Sequence, residues 1–375
     1  FKSDLPGTPL SFSYLSGVAD GDTLRALAVQ PGTGKLFAVG TAGIVYTLNP
    51  FTGAATAVGP AFSPVLSGDT LALAFDRFTG LLRLVNPAGQ NLLINPATGA
   101  VVSSDTSPVF VFGDANAGTT PQLAGADYAL IGGTQTLYGI DAVKDVLVRI
   151  GSAGGSPLAP ATGQLTTIGA LGFNTGTRAA FHIQPEATYG WASLSLQGGT
   201  SSGLYAVNLS RGNAIFMGTI RKSELIRDFV VAPARDAWRY ARFGTSAGNP
   251  LIGGDAADPD GNGVSNLMEY ALGGASGSPA NGFLPALSLT GGYLSLTFTR
   301  PATAGDVIYT VQVSGDLKTW DDGSTYGPWG DVAVNAFTTE LLRSTNGGVE
   351  TIRVRDNVIT STAAHRFIRL KVTAP

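Results

Sequence analysis

Residues 258–269 place side-chain oxygens at regular spacing around a glycine-rich turn. Oxygen donors stand at positions 1, 3, 5, 9 and 12 of this stretch, and Gly263 at position 6 permits the sharp turn that a calcium-binding loop requires. Its three carboxylates balance the charge of a divalent cation with little excess. The alternative is a polar linker in which Asp and Asn alternate by chance. The predicted calcium ligands are Asp258, Asp260, Asn262, Val264 through its backbone carbonyl, Asn266 and Glu269.

Helix signals stand on both sides of this loop, in residues 234–243 before it and 265–272 after it. Trp238 and Tyr240 would provide the apolar packing that so short a unit needs. Extracellular calcium modules of this kind bind weakly enough to need millimolar calcium, so the ion is expected to be structural rather than to act in signalling. We therefore expect residues 234–280 to form a helix-loop-helix linker, in which calcium orders the joint between two β domains.

The first 233 residues repeat one pattern of strand, tight turn and strand. The pattern recurs at 47–59, 93–104 and 205–220, each time around an Asn-Pro or glycine turn. Apolar strands rich in small residues recur upstream, as at the crowded inner edge of a propeller blade. They predict a five-bladed β-propeller at 1–233, with a solenoid as the alternative. The five inner strands are predicted at 24–29, 71–75, 123–130, 179–183 and 226–231.

The last predicted blade is incomplete. No further blade strands follow its inner strand, 226–231, so we expect the N-terminus to complete the blade and close the ring. The N-terminal segment offers one convincing strand, 10–15, where two or three are needed. Two explanations stay open. Either residues upstream of Phe1 are absent here or the blade is simply small, or a strand from another molecule fills the gap and makes the protein a self-assembling subunit.

Acidic residues recur near the predicted propeller axis. Asp22 and Asp69 precede inner strands in the same Gly-Asp-Thr-Leu setting, and Asp127 and Asp228 lie on inner strands. A glycosidase would need such carboxylates as a general acid and its partner, yet a residue that recurs in register with a repeat is more simply a turn-former. His182 is interpreted as a core or channel-lining residue, because no nucleophile-elbow motif accompanies it. We therefore assign no catalytic residues and expect no enzymatic activity.

Composition excludes several classes of function. The 375-residue chain has a formal net charge of −3, which offers no basic surface for nucleic acid. The absence of cysteine excludes disulfides, thiolate catalysis and Cys-based zinc sites. No apolar run approaches the length that spans a bilayer. The abrupt start at Phe1 is interpreted as the removal of a leader. Mainly from the calcium motif, and from the resemblance described below, we expect the protein to be extracellular or on the cell surface.

Strand patterns return in residues 281–375. About seven or eight strands without a helix predict an Ig-like or fibronectin-like β-sandwich, a module that commonly serves as a spacer or adhesion unit. Trp320 and Trp329 are candidates for a sugar platform, but buried core anchors are the preferred interpretation. The whole chain is thus expected to be mainly β, with one short helical linker.

The sequence resembles two groups of bacterial proteins. Residues up to about 233 resemble a secreted propeller family known only as a domain of unknown function, number 4394, from whose pattern the shortened N-terminal blade departs. The loop is similar to EF-hand, dockerin and thrombospondin type 3 calcium repeats, and the whole tail to C-terminal regions of extracellular proteins in Verrucomicrobia-like bacteria. The family implies no catalytic residues. Its resemblance rests on the segments 47–59, 113–118 and 137–141 and on Arg227 and Asp228.

These observations predict a secreted, calcium-stabilised, non-enzymatic protein whose function is interaction. The preferred hypothesis is a self-assembling structural subunit of an extracellular filament or matrix, joined to other copies by strand complementation at the incomplete blade. A carbohydrate-binding or adhesion protein is the second hypothesis, and a glycan-active propeller enzyme is the third. The expected cofactor is Ca²⁺. The expected partners are other copies of the chain or an extracellular glycan, with no nucleic acid and no transmembrane segment.

Overall fold

The computed structural model describes residues 1, 3, 6–9, 12–31, 33–68, 70–184, 187–221, 225–274, 282–327, 331–363 and 365–374. Over these residues the chain is mainly β, with several sheets and two short α-helices. It divides into two compact units. The first consists of Phe1–Pro31 and Lys35–Val231, and the second of Gly32–Gly34 and Ala232–Pro375. The second unit thus contains both the segment predicted as a linker and the predicted sandwich.

In the described residues, the first unit contains four sheets, each built on four antiparallel strands that pair in chain order. The first sheet consists of β1 (Leu24–Val29), β2 (Leu36–Gly40), β3 (Val45–Leu48) and β4 (Ala55–Ala57), and the second of β5 (Ala72–Asp76), β6 (Leu81–Val85), β7 (Asn91–Ile94) and β8 (Val101–Ser104). The third consists of β10 (Leu123–Ile131), β11 (Thr134–Asp141), β12 (Val146–Ile150) and β13 (Gln164–Ala170), with β9 (Val109–Phe110) added in parallel beside β13. The fourth consists of β14 (Thr175–His182), β15 (Tyr189–Leu196), β16 (Ser202–Asn208) and β17 (Ala214–Ile220).

Side-chain hydrogen bonds explain the repeated sequence pattern. Asn49 Oδ1 accepts the N–H of Phe51 at 2.9 Å, and Asn95 and Asn208 accept the N–H groups two residues onward at 2.8 and 3.0 Å. In each turn the glycine four residues after the asparagine donates its N–H to the asparagine carbonyl. These glycines have positive φ, which a residue without a Cβ adopts at little cost. The repeated phrase is therefore the turn that joins the third and fourth strands of a sheet.

The first strands of the four sheets lie side by side. β1 packs beside β5, β5 beside β10, and β10 beside β14. Their small residues permit this close approach, since Ala26, Ala72 and Ala126 are all buried. Larger apolar side chains fill the spaces between successive sheets, as where Phe37 meets Phe75 with ring centroids 5.9 Å apart. Burial of this apolar surface is the main term that stabilises the unit.

The predicted fifth inner strand, 226–231, is not assigned as a strand, but it lies beside β1. The Asp228 carboxylate accepts the backbone N–H of Leu27 at 2.6 Å. Because Leu27 lies within β1, the last segment of the first unit returns to the strand with which the first sheet begins.

The N-terminal segment contacts both the fourth sheet and the first. The Arg221 guanidinium, just after β17, stacks on the Phe12 ring at 4.4 Å from its centroid, and Ser16 forms a parallel bridge immediately before β4. The strand predicted at 10–15 begins outside the described residues, and its described part, 12–15, is not a strand. The aromatic side chains of this part are not buried, since Phe12 is 66 % and Tyr14 96 % exposed.

The Asn turns show what the N-terminal segment packs against. In the fourth sheet the turn glycine lies against the preceding sheet, so that a Cβ at Gly212 would lie 2.4 Å from the carbonyl oxygen of Gly169 in β13. In the first sheet the equivalent turn glycine lies against the N-terminal segment, and a Cβ at Gly53 would lie 2.4 Å from the carbonyl oxygen of Tyr14. Backbone approaches this close leave no room for a side chain other than hydrogen.

The second unit contains two sheets and two helices. The helices are α1 (Ala234–Phe243) and α2 (Asn266–Leu272). One sheet has the strand order β18 (Ala286–Thr290), β19 (Tyr293–Pro301), β23 (Val349–Ile359) and β22 (Thr338–Asn346), and the other has the order β21 (Asp321–Tyr326), β20 (Ile308–Ser314) and β24 (Phe367–Thr373).

Aromatic side chains from both sheets of the second unit meet in one core. Phe298 of β19 stacks on Tyr309 of β20 with centroids 5.9 Å apart and meets Tyr326 of β21 edge-on at 5.8 Å. The C-terminal half of α2 adds Tyr270 and Leu272 to the same core. The segment with the calcium-loop sequence is thereby attached to this core through the helix that follows it.

Candidate functional site

The predicted calcium loop wraps around the Asp258 carboxylate. Its Oδ1 and Oδ2 accept the backbone N–H groups of Asn262 at 3.2 Å and Gly263 at 2.8 Å. Asn262 Oδ1 in turn accepts the N–H of Val264 at 2.8 Å. Gly263 has a φ of 84°, a conformation that residues with a Cβ rarely adopt. The side chains at positions 1 and 5 therefore hold the loop in a tight turn.

A guanidinium group from α1 neutralises two carboxylates of the loop. Arg242 Nη2 lies 3.2 Å from Asp260 Oδ2 and 2.8 Å from Glu269 Oε2. Glu269 is fully buried, and a buried carboxylate is costly unless an opposite charge accompanies it. The guanidinium carbon also lies 5.0 Å from the centroid of the Trp238 ring, which holds the side chain in place. Arg242 thus supplies the positive charge that these carboxylates need.

Two buried oxygens near the loop accept no hydrogen bond from the described residues. One is Glu269 Oε2, whose contact with Arg242 is an ion pair without hydrogen-bond geometry. The other is Asn266 Oδ1, although the amide nitrogen of that side chain donates to the carbonyls of Ile252 at 2.7 Å and Gly254 at 2.8 Å. Asn266 therefore anchors the preceding turn and leaves only its carbonyl oxygen for another partner.

The loop carboxylates do not converge on one point. In the part of the chain that the structure describes, no group of three or more His, Cys, Asp or Glu side chains is close enough together to hold an ion. Arg242 holds two of the carboxylates while Asp258 binds backbone N–H groups, and like charges repel when nothing lies between them. The donors are all oxygen atoms, as a hard cation requires, so the residues fit calcium by their chemistry. The assignment of the six ligands stays a prediction.

Asp127 and His182 meet on the inner strands of the third and fourth sheets. Asp127 Oδ2 lies 3.2 Å from His182 Nδ1 and accepts the N–H of Ile183 at 2.8 Å, while Asp127 Oδ1 accepts the N–H of Tyr128 at 2.8 Å. Burial raises the pKa of Asp127 to about 7 and lowers the pKa of His182 to about 4. The carboxylate therefore fastens one inner strand to the next.

Asp228 repeats the bonding pattern of Asp127 at the end of the first unit. Its carboxylate accepts the N–H of Leu27 at 2.6 Å and that of Phe229 at 2.8 Å. Burial raises the pKa of Asp228 to about 8, and repulsion from Asp127 contributes to the increase. The two carboxylates therefore interact electrostatically, although each accepts a backbone N–H from a neighbouring segment.

Asp22 closes a turn in the first sheet. Its carboxylate accepts the N–H of Ala42 at 2.9 Å and the hydroxyl of Tyr46 at 2.8 Å. Burial opposes ionisation, but these hydrogen bonds prevail and hold the pKa of Asp22 below its usual value. Asp69, which shares the Gly-Asp-Thr-Leu setting, lies outside the described residues. Asp22 is thus bonded as a turn-forming side chain.

The two tryptophans considered as a sugar platform cannot be compared as a pair. Trp320 donates its indole N–H to the Leu317 carbonyl at 3.3 Å, and the Arg369 guanidinium stacks on its ring at 3.8 Å from the centroid. Trp329 lies outside the described residues. One face of the Trp320 ring is therefore covered by a cation of its own chain.

The described residues form a mainly β protein of several sheets, with a calcium-loop sequence in the second unit. The chain belongs to the family described as a domain of unknown function (DUF4394), whose sequence profile matches residues 1–230. No characterised protein matches the sequence significantly. In the described part of the chain, no helix is both long and apolar enough to cross a membrane.

Solved structures show a distant likeness to the chain. Hydrazine synthase of Kuenenia stuttgartiensis has a TM-score of 0.34 and 10% identity, over 84% of this chain and 65% of that chain. A protein of unknown function from Bacteroides thetaiotaomicron has a TM-score of 0.35 and 15% identity, over 55% and 53%. The WD40 β-propeller domain of Doa1 has a TM-score of 0.28 and 8% identity, over 53% and 55%. The chain thus spans less than two thirds of each, and likenesses this weak transfer neither activity nor ligand.

Proposed function

We propose that the chain is a secreted, calcium-stabilised, non-enzymatic structural protein that joins to other copies of itself outside the cell. In this proposal the first unit is a five-bladed β-propeller, the loop segment is a calcium-binding linker, and the sheets of the second unit form an Ig-like or fibronectin-like sandwich. Two observations support the proposal: residues 226–231 reach β1 through Asp228 without being assigned as a strand, and the N-terminal segment exposes apolar side chains.

Contacts between successive inner strands support the ring. β1, β5, β10 and β14 follow one another side by side, and the Asp228 carboxylate joins residues 226–231 to Leu27 of β1. Asp127 makes the same type of bond to Ile183 between the third and fourth sheets. The same bond from an aspartate carboxylate to a backbone N–H thus joins two pairs of neighbouring inner segments. Such a recurrence is expected of blades that repeat around a common axis.

The contacts of the N-terminal segment support its place at the outer edge of the proposed fifth blade. Its contact with the turn at Gly53 matches the contact of the fourth sheet's turn glycine with β13. Among the described residues, neither 12–15 nor 226–231 is assigned as a strand. Phe12, Tyr14 and Leu15 are exposed there. A sheet gap with apolar side chains beside it is a template for an added strand.

The second unit offers a strand suited to pairing between copies. β18 is an edge strand, and all five of its residues are exposed. Leu287 and Leu289 are two residues apart and therefore share one face of the sheet. Edge strands are usually protected from other chains by charges or proline, and β18 contains neither. A second copy of the chain is therefore the occupant that we assign to the open edges.

Electron microscopy of the full chain, in calcium and then after chelation, tests the proposal. Ordered filaments or sheets that dissociate on chelation would support a calcium-dependent polymer, whereas uniform single particles in both conditions would contradict it. Tyr14→Lys should weaken assembly because it places a charge beside the proposed fifth blade. Phe78→Lys is the matched control, since Phe78 is also an exposed aromatic residue but lies in the β5–β6 turn.

Glycan binding is the second candidate function. One observation favours it: the first unit contains an open cleft of about 490 Å³ whose lining is about half polar. A glycan-active enzyme is less well supported, because Asp127 and Asp228 are bonded to backbone N–H groups. The proposal therefore assigns no catalytic residues.

A further inference from the structure

The polar cleft lies between the third and fourth sheets of the first unit. Its lining comes from the turn between β11 and β12, the start of β14, the turn between β15 and β16, and Leu225. Its volume of about 490 Å³ is within the range of roughly 300–1,000 Å³ that is usual for ligand pockets. The polar residues in its lining are Asp145, Asn174, Thr175, Thr177, Arg178, Ser195 and Gln197.

An irregularity in β14 opens the cleft. The pairing of β14 with β15 is interrupted between Thr175 and Ala179, and such bulges commonly occur beside binding sites, where they redirect side chains. Gly176 lies inside the interruption, and a Cβ there would be only 2.4 Å from Ser195 Oγ. The close approach lets β14 bend at this point, while the neighbouring Arg178 lines the cleft.

Asp145 forms a fixed acceptor on one wall of the cleft. Its φ of 56° is unusual for a residue other than glycine. Its Oδ1 accepts the Thr175 N–H at 2.7 Å and lies 2.8 Å from the Thr175 hydroxyl. Within the described residues no hydrogen bond reaches its Oδ2. One carboxylate oxygen thus holds the wall together, and the other is available to a ligand's hydroxyl group.

Arg178 brings a positive charge to the same cleft. Within the described residues its guanidinium makes neither an ion pair nor a hydrogen bond. A guanidinium offers a fork of N–H donors that matches a carboxylate. Asn174 and Gln197, whose backbones are joined by a hydrogen bond of 3.2 Å, add side-chain amides that can both donate and accept.

We propose that this cleft binds a uronic acid residue of an acidic polysaccharide. The sugar carboxylate pairs with the Arg178 guanidinium, and sugar hydroxyls donate to Asp145 Oδ2 and exchange hydrogen bonds with the amides of Asn174 and Gln197. The exposed side chain of Leu196 lines the cleft as well and offers an apolar surface to the C–H groups of the ring.

The charges in the cleft distinguish this ligand from a small inorganic anion. Inorganic sulfate would bring two negative charges and no hydroxyl donor, so the Asp145 carboxylate would repel it while its Oδ2 stayed unsatisfied. A neutral sugar would leave the Arg178 guanidinium without a counter-charge. A single carboxylate on a ring of hydroxyl groups satisfies both residues. This inference deepens the second candidate function and does not depend on self-association.

Isothermal titration of the full chain with a galacturonic acid trisaccharide tests the assignment. The neutral galactose trisaccharide and acetate are the comparison ligands. We expect measurable binding of the acidic trisaccharide, and an affinity at least about tenfold lower for each comparison ligand, because each lacks one of the two matched features. Equal affinity for the neutral trisaccharide would overturn the role of the carboxylate, and equal affinity for acetate would overturn the role of the sugar.

Arg178→Gln is expected to lower the affinity for the acidic trisaccharide by about tenfold, because it removes a charge-assisted pair. Arg211→Gln, a change of the same type at an exposed turn between β16 and β17, should leave it unchanged. Gln197→Leu removes an amide from the facing turn and should weaken binding several-fold, so it decides the matter if Arg178→Gln fails to fold. Unchanged affinity in the folded variants would refute the site. That outcome would leave the proposal of self-association untouched, because the two are tested separately.

Discussion

Arg242 is the residue on which the calcium-loop segment depends in the absence of another cation. Arg242→Gln is expected to lower the free energy of unfolding by about 3–5 kcal/mol in calcium-free buffer, because the buried Glu269 carboxylate loses its counter-charge. Millimolar calcium should restore part of that loss, since the ion supplies positive charge to the same carboxylates. Chemical denaturation with and without a chelator measures both quantities.

A surface ion pair is the control for that experiment. Arg343 lies 2.8 Å from Glu340 and is about one third exposed, so Arg343→Gln should change the free energy of unfolding by no more than about 1 kcal/mol. Calcium should have the same effect on this variant as on the parent protein. If Arg242→Gln were equally destabilised with and without calcium, the ion would not supply the positive charge that Arg242 gives to these carboxylates.

The buried carboxylates predict how stability changes with pH. Asp127 and Asp228 have raised pKa values of about 7 and about 8 in the folded protein, so above pH 4 they retain protons that the unfolded chain releases. Their contribution to stability is therefore lost as pH rises through these values. His182, with a pKa lowered to about 4, acts in the opposite direction only below about pH 6.5.

Between pH 6.5 and 8 the two carboxylates dominate this trend, because the opposing contribution of His182 is nearly complete once the unfolded histidine loses its proton near pH 6.5. We expect the free energy of unfolding to fall by about 2 kcal/mol over that interval, since one pKa unit corresponds to about 1.4 kcal/mol. Asp228→Asn should flatten the fall, because asparagine stays neutral and still accepts the Leu27 N–H. Guanidinium denaturation at both pH values measures the slope, and an unchanged slope in the variant would show that Asp228 is ionised throughout.

Residue-scale prediction from sequence is limited to chemistry that is local. Spacing alone predicts the loop ligands, because side chains within twelve residues lie near one another, and that assignment stays a prediction. Arg242 was not among them, since its contact with Glu269 depends on how α1 packs against α2. Arg178 and Asp145 were missed for the same reason, because the cleft joins turns of two different sheets. Position in the chain gave no signal for either.

At the scale of elements, the Asn turns connect neighbouring sheets through glycine. Gly212→Ala should destabilise the protein by more than the roughly 1–2 kcal/mol that a left-handed conformation costs an alanine, because the new Cβ would also collide with the Gly169 carbonyl. Gly113→Ala is the matched control, since Gly113 has a φ of 83° against 81° for Gly212 and open space around it. Thermal denaturation compares the stability of the two variants. Equal losses of stability would show that the close approach of Gly212 to Gly169 does not matter.

The elements themselves were predictable to different degrees. The turns of the repeated phrase could be predicted because an asparagine and a glycine four residues apart fix their own backbone. The inner segment 226–231 was predicted as a strand from its apolar pattern, yet it is held to β1 partly through a side chain, Asp228, which no pattern of backbone pairing reveals. The predicted N-terminal strand fails over 12–15, because exposed aromatic residues provide no buried face there.

For the molecule as a whole, composition predicted more than any motif. Abundant glycine and proline with few charges predicted a mainly β chain of short strands, and the several sheets confirm it. The number of blades stays a prediction, because it depends on how residues 226–231 and the N-terminal segment combine. The assembly of copies also stays a prediction, since an exposed edge states only that pairing is possible and not which chain provides the partner.

The edge strand β18 permits a direct test of assembly at the scale of the whole molecule. Leu289→Lys places a charge on an exposed edge, and a lysine there repels a second strand, as in natural edge strands. Because Leu289 is exposed, the free energy of unfolding should change by no more than about 0.5 kcal/mol. Assembly should nevertheless weaken by about tenfold or more, as light scattering across a concentration series would measure. Leu251→Lys, at an even more exposed leucine in a turn of the same unit, should assemble as the parent does. Equal assembly by both variants would exclude β18 as the contact and would leave the exposed N-terminal segment of the first unit as the next candidate.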